Sequence, residues 1–362
     1  MWFMIMNSVD SASARKVVKD FDIHGLVKLR LEWDFYRAIL EDLDLKLNYF
    51  RVAEVDRPDI LVSIGPFKPT LEGCEAYDGK YFVRKDFVYC TDRNFQCRWE
   101  FQLSGLSGSQ LVMNVHASSY NARAALAPNL LVHTLLMPLL EWEFLKRGFL
   151  LLHSAAVSKD GQAYIIAGRG GAFKTSVVMD LVRREGYGYM SDERALVAPH
   201  LVFSFPTHLQ IFAYCLSKLS SEYISPFDKL RLLAYLLANR LGKEREIVVD
   251  SSQLVGIAYL SPSTEPFQLR RLDVEAAASK MMANAFLDNF EMPKIVGLGM
   301  SPILGCLMAY VAAFPKSRIA NIRSEFMSRL RQTLTGLPIY EMTIPLTYGA
   351  DTARFVREVL TQ

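Results

Sequence analysis

The residues whose types and spacing best suit them to chemistry are Gly168, Arg169, Gly170, Gly171, Ala172, Phe173, Lys174, Thr175 and Ser176. Glycines let a backbone wind so that successive N–H groups converge on one point, and the N-terminus of a following helix adds partial positive charge there. Lys174 adds a full charge, and the Thr175 hydroxyl can bind Mg2+. Together these meet the needs of a phosphate cradle, with ATP or another nucleoside triphosphate and Mg2+ as the expected ligands. The P-loop pattern has glycine where Phe173 stands. A phenylalanine at positive φ is a steric outlier, so the loop is expected to hold Phe173 at negative φ. An ordinary glycine-rich turn with a chance Lys-Thr is the plainer reading. The elements on either side favour the cradle over it.

A second group lies 17 residues beyond Thr175, where Asp192 and Glu193 stand side by side. That interval is one helix plus a return strand, which brings the acids back to the sheet edge that carries the loop. A carboxylate there could hold Mg2+, directly or through water, or take a proton from an attacking hydroxyl; the metal set is then Thr175, Asp192 and Glu193. Read blandly, the pair is a solvated acidic turn. A hairpin through Lys159, Asp160 and Gly161 brings His153 to the sheet beside the phosphate loop, or leaves it one register away. Arg169 reads equally well as a phosphate contact or as a solvent-facing loop residue.

The elements that must position these groups follow from local pattern. Tyr164, Ile165, Ile166 and Ala167 form a short apolar run bounded by glycine, which reads as a central strand. Residues 176–184 read as a helix burying Val177, Val178 and Leu181. Residues 149–157 read as one strand carrying His153, residues 186–190 lead to the acids, and residues 195–197 continue as a strand. Before them, residues 25–33 alternate cleanly, with Val27, Leu29, Leu31 and Trp33 on one face. Residues 46–55, 60–64, 79–90, 98–103 and 111–115 extend a sheet-rich pattern. Residues 1–20 read as a loosely held start, and 121–147 as a helix interrupted near Pro138. After the site come a helix over 213–241, strands at 247–249, 257–260, 267–271 and 339–344, and helices at 273–290, 320–334 and 351–360. The expected organisation is a strand-rich α+β domain over 1–120, a helical bridge over 121–147, and a nucleotide-binding domain over 148–362.

Composition narrows the partners. A net charge of +3 among 79 charged residues is close to balance and gives no push towards nucleic acid or an anionic membrane. The most apolar stretch, 126–152, is broken by prolines and charges, so no membrane span is expected. The first six residues are apolar but lack a basic segment and a small-residue cleavage site, so a secretory leader is not expected. Five cysteines without a Cys-x-x-Cys pair make neither a disulfide framework nor a zinc ribbon. Reduced thiols in a cytoplasmic protein are the expectation, and a homo-oligomer is compatible with it.

A strand with His, a turn, a strand with the glycine-rich loop, a helix and then a paired acid resembles the kinase domain of the HPr kinase/phosphorylase family. The likeness spans roughly residues 148–212, with weaker echoes at 203–206 and 338–344. It is nearest to divergent relatives that phosphorylate serine hydroxyls elsewhere, including peptide-tailoring kinases. The resemblance implies an α/β P-loop kinase domain with a mixed sheet flanked by helices. It also implies His153, Lys174, Thr175 and Asp192 at a reaction centre, with Glu193 where the family has a second Asp. The implied activity is transfer of the γ-phosphate of ATP to a hydroxyl, most simply a serine, on a peptide, protein or small molecule. The family's signature for phosphorolysis is not visible, so phosphorylase activity is not expected. Two alternatives stay open. The loop also resembles that of partitioning-type ATPases, although about 165 residues precede it here. The other is a degenerate, non-catalytic nucleotide-binding module closed by Phe173.

Overall fold

Alternating apolar residues build most of this chain, and in the computed structural model they form two large mixed sheets of an α/β protein. The structure describes residues 17–33, 46–93, 97–119, 127–207, 209, 212, 243–284 and 302–360. The helix over 213–241, the end of the helix over 273–290 and residues 1–16 of the expected loose start lie outside those residues; residues 17–20 of that start are instead the first half of a paired strand, Val17–Ile23. The helices are α1 (Ala127–Lys146), α2 (Lys174–Glu185), α3 (Pro302–Ala313), α4 (Ile322–Leu334) and α5 (Ala350–Leu360), with residues 274–284 also helical. Among the described residues, no helix is long and apolar enough to cross a membrane.

The chain divides into two units, one drawn from Met1–Asp42, Arg51–Thr134 and Gly305–Pro315, the other from Leu43–Phe50, Leu135–Leu304 and Lys316–Gln362. The first unit holds β1 (Val17–Ile23), β2 (Val27–Trp33), β3 (Arg51–Val52), β4 (Ile60–Ile64), β5 (Glu75–Tyr77), β6 (Tyr81–Arg84), β7 (Phe87–Arg93), β8 (Cys97–Ser104) and β9 (Leu111–Ser119). Their order across the sheet is β3-β1-β2-β4-β9-β8-β7-β6-β5. In β2 and β4 every second residue is buried, as a sheet with one face on a core requires. The buried Asp20 carboxylate in β1 is compensated by Arg30 at 2.7 Å and by the Val55 N–H at 2.8 Å. Residues 46–55, expected as a strand, instead form a helical turn through Phe50, and only Arg51 and Val52 pair as a strand.

The second unit carries β10 (Leu150–Leu152), β11 (Ser154–Lys159), β12 (Gln162–Gly168), β13 (Gly188–Ser191), β14 (Ala195–Ala198), β15 (Leu201–Phe203), β16 (Ser251–Ser263), β17 (Gln268–Arg271) and β18 (Ile339–Pro345). The strand β12 is central, antiparallel to β11 on one side and parallel to β16 on the other. Its near-continuous burial follows from helices on both faces. Ile166 packs with Val177, Val178 and Leu181 of α2 and Val356 of α5. Ile165 and Ala167 pack with Ala277 and Ala278 and with Leu330 and Leu334 of α4. The β11–β12 hairpin turns through Asp160 and Gly161, both at positive φ, which glycine adopts without strain. Asp273 caps the helix that follows it, accepting the Ala276 N–H at 2.8 Å.

Two further expectations change. Residues 149–157 are not one strand, because β10 pairs with β14 while β11 pairs with β12 and β13, and His153 sits at the switch. Residues 243–247 form a 3-10 turn, and Val248 makes only an isolated bridge to Tyr189, so the apolar run at 247–249 is no full strand. Pro138 lies inside an α1 that continues past it.

Candidate functional site

Strand direction places the predicted site. Both β12 and β13 run antiparallel to β11, so β12 and β13 are parallel to each other. Their C-terminal ends and the N-terminal end of β11 therefore lie at one sheet edge. The residue before β11 is His153, the residues after β12 are the glycine-rich loop, and the residue after β13 is Asp192. Three positions up to 39 residues apart in sequence thus meet at that edge.

The loop opens at Gly168, where φ is +148° and a Cβ would stand 2.8 Å from the Leu260 carbonyl oxygen and 3.0 Å from the Ala172 Cβ. Only glycine fits that approach. The loop closes on α2, whose first turn leaves N–H groups unsatisfied by the helix itself. Lys174, buried at the start of α2, turns its ammonium back on the loop and donates to the Gly168 carbonyl at 2.8 Å and the Arg169 carbonyl at 3.1 Å. It also donates to His153 Nε2 at 3.2 Å. An ammonium has no acceptor, so this ring nitrogen accepts and His153 is the neutral Nδ1–H tautomer. Thr175 and Arg169 are exposed, and Ser176 is half-buried.

Phe173 is not at negative φ. It has φ 60° and ψ 20°, the left-handed conformation, and gives α2 no side-chain cap. The loop therefore keeps the backbone that a glycine would adopt freely, at a cost of roughly 1–2 kcal/mol for an L residue. Its ring packs against Tyr348, centroid to centroid 5.8 Å. Phe173→Gly and Phe173→Ala lose the same ring contact but differ in φ freedom. The glycine variant is expected to be more stable than the alanine variant by about 1 kcal/mol. Chemical denaturation of the two checks it, and an alanine variant equal or superior would contradict the left-handed loop.

The electrostatics separate the groups. Burial, and then the charges of Lys174 and Arg194, hold His153 down at about 4, with Glu193 opposing them. Burial pushes Asp192 up to about 7, helped by the charge of Glu193 and opposed by a hydrogen bond from the Tyr189 hydroxyl at 2.7 Å. Glu193 accepts a hydrogen bond from Thr207 at 3.4 Å, and Arg194 is paired with Glu141. The depressed His153 pKa makes a stability prediction. The unfolded chain binds the proton at about 6.5 and the folded one only near 4, so stability falls as pH drops through that window. His153→Gln should remove up to about 3 kcal/mol of that acid sensitivity. Denaturant midpoints at pH 7 and pH 4.5 measure it, and an unchanged pH slope would contradict a half-buried, neutral His153.

Sequence reasoning missed two residues here. Tyr189, fully buried and stacked on Phe212 at 4.1 Å, orients the Asp192 carboxylate. Its place in β13, three residues before the acid, was the available signal. Tyr348 touches the loop from 172 residues beyond Ser176, and no spacing rule could have found it.

The donor set suits a magnesium triphosphate. The loop offers N–H groups and an ammonium, and Thr175 with Asp192 and Glu193 offers one hydroxyl and two carboxylates. Mg2+ bound with phosphates takes one or two carboxylates and keeps several waters, so no larger acidic cage is needed. Among the described residues no group of three or more His, Cys, Asp or Glu side chains is placed to hold a metal. The described Cys74, Cys90 and Cys306 are free thiols.

The fold and site define a mixed α/β protein with two large mixed sheets, in which a glycine-rich loop, a buried ammonium and a half-buried acid share one sheet edge. No family model matches the chain, and no curated protein matches it.

Proposed function

We propose that the chain is an ATP-dependent kinase that transfers the γ-phosphate to a hydroxyl, most simply a serine on a peptide, protein or small molecule. The second unit is then a P-loop kinase domain of the HPr kinase-like type, working in the cytoplasm. The observation that carries this reading is the shared sheet edge, with Lys174 at the end of the β12 loop and Asp192 at the end of β13.

Phosphoryl transfer asks for positioning and charge neutralisation more than for covalent chemistry. The N–H groups of residues 168–176 and the Lys174 ammonium hold the β- and γ-phosphates, the ammonium exchanging one loop carbonyl for a phosphate oxygen. Thr175 with Glu193 would hold Mg2+, which would neutralise phosphate charge, and Asp192 is left free to take a proton. As the acceptor oxygen bonds to the γ-phosphorus, the bond from that phosphorus to the bridging oxygen breaks and ADP departs. The acceptor's proton passes to the Asp192 carboxylate, held in place by the Tyr189 hydroxyl. A base poised near neutral pH is the most effective one there. His153, neutral and bonded to Lys174, orients the ammonium.

The test is incubation with γ-labelled ATP, Mg2+ and a panel of serine-bearing and other hydroxyl acceptors, counting free phosphate in parallel. Label on an acceptor as a phosphate monoester is the expected result. Robust hydrolysis that no acceptor affects would favour a partitioning-type ATPase, and absence of nucleotide binding would favour a closed, non-catalytic module.

A further inference from the structure

The loop that follows β18 comes to the same edge as the phosphate loop. The strand β18 is parallel to β16, which is parallel to β12, so residues after Pro345 emerge beside residues 168–175. There the Tyr348 hydroxyl donates to Asp180 at 2.6 Å and lies 3.3 Å from the Ser176 carbonyl oxygen, tying this loop to the first turns of α2. The Tyr348 ring lies against Phe173 at 5.8 Å with the planes tilted by 43°. Two residues earlier, Leu346 leaves 58% of its surface exposed.

A single exposed leucine is ordinary. Phe173 is the second, independent observation, because it keeps its ring in a left-handed position that glycine would occupy without strain. Backbone outliers of this kind persist where the side chain has a use and its surroundings hold it. A nucleotide whose phosphates lie in the loop carries its base one ribose away, and aromatic and aliphatic surface at that distance is what a base stacks on.

Resting on the nucleotide reading above, we propose that Phe173, Tyr348 and Leu346 seat the purine base of the nucleotide by its face, so that adenine and guanine nucleotides are accepted alike. Every base has a π-face, so stacking discriminates weakly among bases, whereas hydrogen bonds to base edges discriminate strongly. Phe173 then answers for its own strain: the ring that departs from the glycine pattern is the ring on which the base rests.

The experiment is calorimetric titration of the full chain with the magnesium complexes of ATP, GTP and inorganic tripolyphosphate, in the wild type and in Leu346→Ala. ATP and GTP should bind within about tenfold of each other, and each at least about tenfold tighter than tripolyphosphate. Leu346→Ala, a surface change, should weaken both nucleotides by about threefold or more and leave tripolyphosphate unchanged. Tripolyphosphate too weak to detect beside measurable ATP also counts for the platform. ATP no tighter than tripolyphosphate, a base preference beyond about tenfold, or a Leu346→Ala variant that binds nucleotide like wild type would overturn the platform and leave the phosphate loop standing. If none of the three binds, the phosphate-loop reading falls and the platform with it.

Discussion

Asp192→Asn is expected to lower transfer to a hydroxyl by about 10²–10⁴-fold while nucleotide affinity stays within about threefold. The amide cannot take the acceptor's proton, but it keeps the size of the carboxylate and still accepts the Tyr189 hydroxyl, so the edge of β13 is preserved. Stability separates lost chemistry from lost structure. The folded carboxyl titrates near 7 instead of 3.8, so its ionisation costs stability as pH rises through that window. The asparagine variant should therefore be the more stable protein at pH 8. Asp192→Glu restores charge but moves the oxygen by about an ångström, and recovers only part of the rate. Transfer rates with denaturation curves at pH 8 check both halves. A variant that loses transfer only because it unfolds would contradict the assigned role.

Lys174→Ala is expected to weaken binding of the magnesium–ATP complex about ten- to more than hundredfold, the worth of a charge-assisted phosphate contact of roughly 1.5–3 kcal/mol. Lys174 is buried and holds two loop carbonyls as well as His153, so alanine also removes supports of the loop itself. Lys174→Met keeps most of the apolar stem and should lose the same affinity with less loss of stability. Titration calorimetry of both variants, beside their melting curves, distinguishes the charge from the packing. Wild-type affinity in either would remove the loop from the nucleotide site.

The central strand, the helix after the loop and the closing strand and helix at 339–360 were legible in the sequence because each is a local, periodic signal bounded by glycine or a turn. The edge at which His153, Lys174 and Asp192 meet was legible for a related reason. A hairpin at Asp160–Gly161 and a helix-plus-return interval fix strand direction without any long-range information. What depended on distant partners was not legible. The switch of His153 between two strands is decided by pairing with β14, about 45 residues on. Tyr348 reaches the loop only through the parallel pairing of β12, β16 and β18. Phe173 shows a different limit. Propensity argues that a phenylalanine avoids positive φ, and it does so for an isolated chain. Here the close approach at Gly168, the start of α2 and the ring of Tyr348 together hold the backbone where the side chain alone would not go.

The most direct measurement is the partition of label from γ-labelled ATP between a hydroxyl acceptor and water, in the wild type and in Asp192→Asn. A kinase of the proposed kind puts most of the label on the acceptor, and the asparagine variant loses that product by about two to four orders of magnitude. Label released to water at a rate that no acceptor changes and that survives Asp192→Asn would contradict the kinase reading.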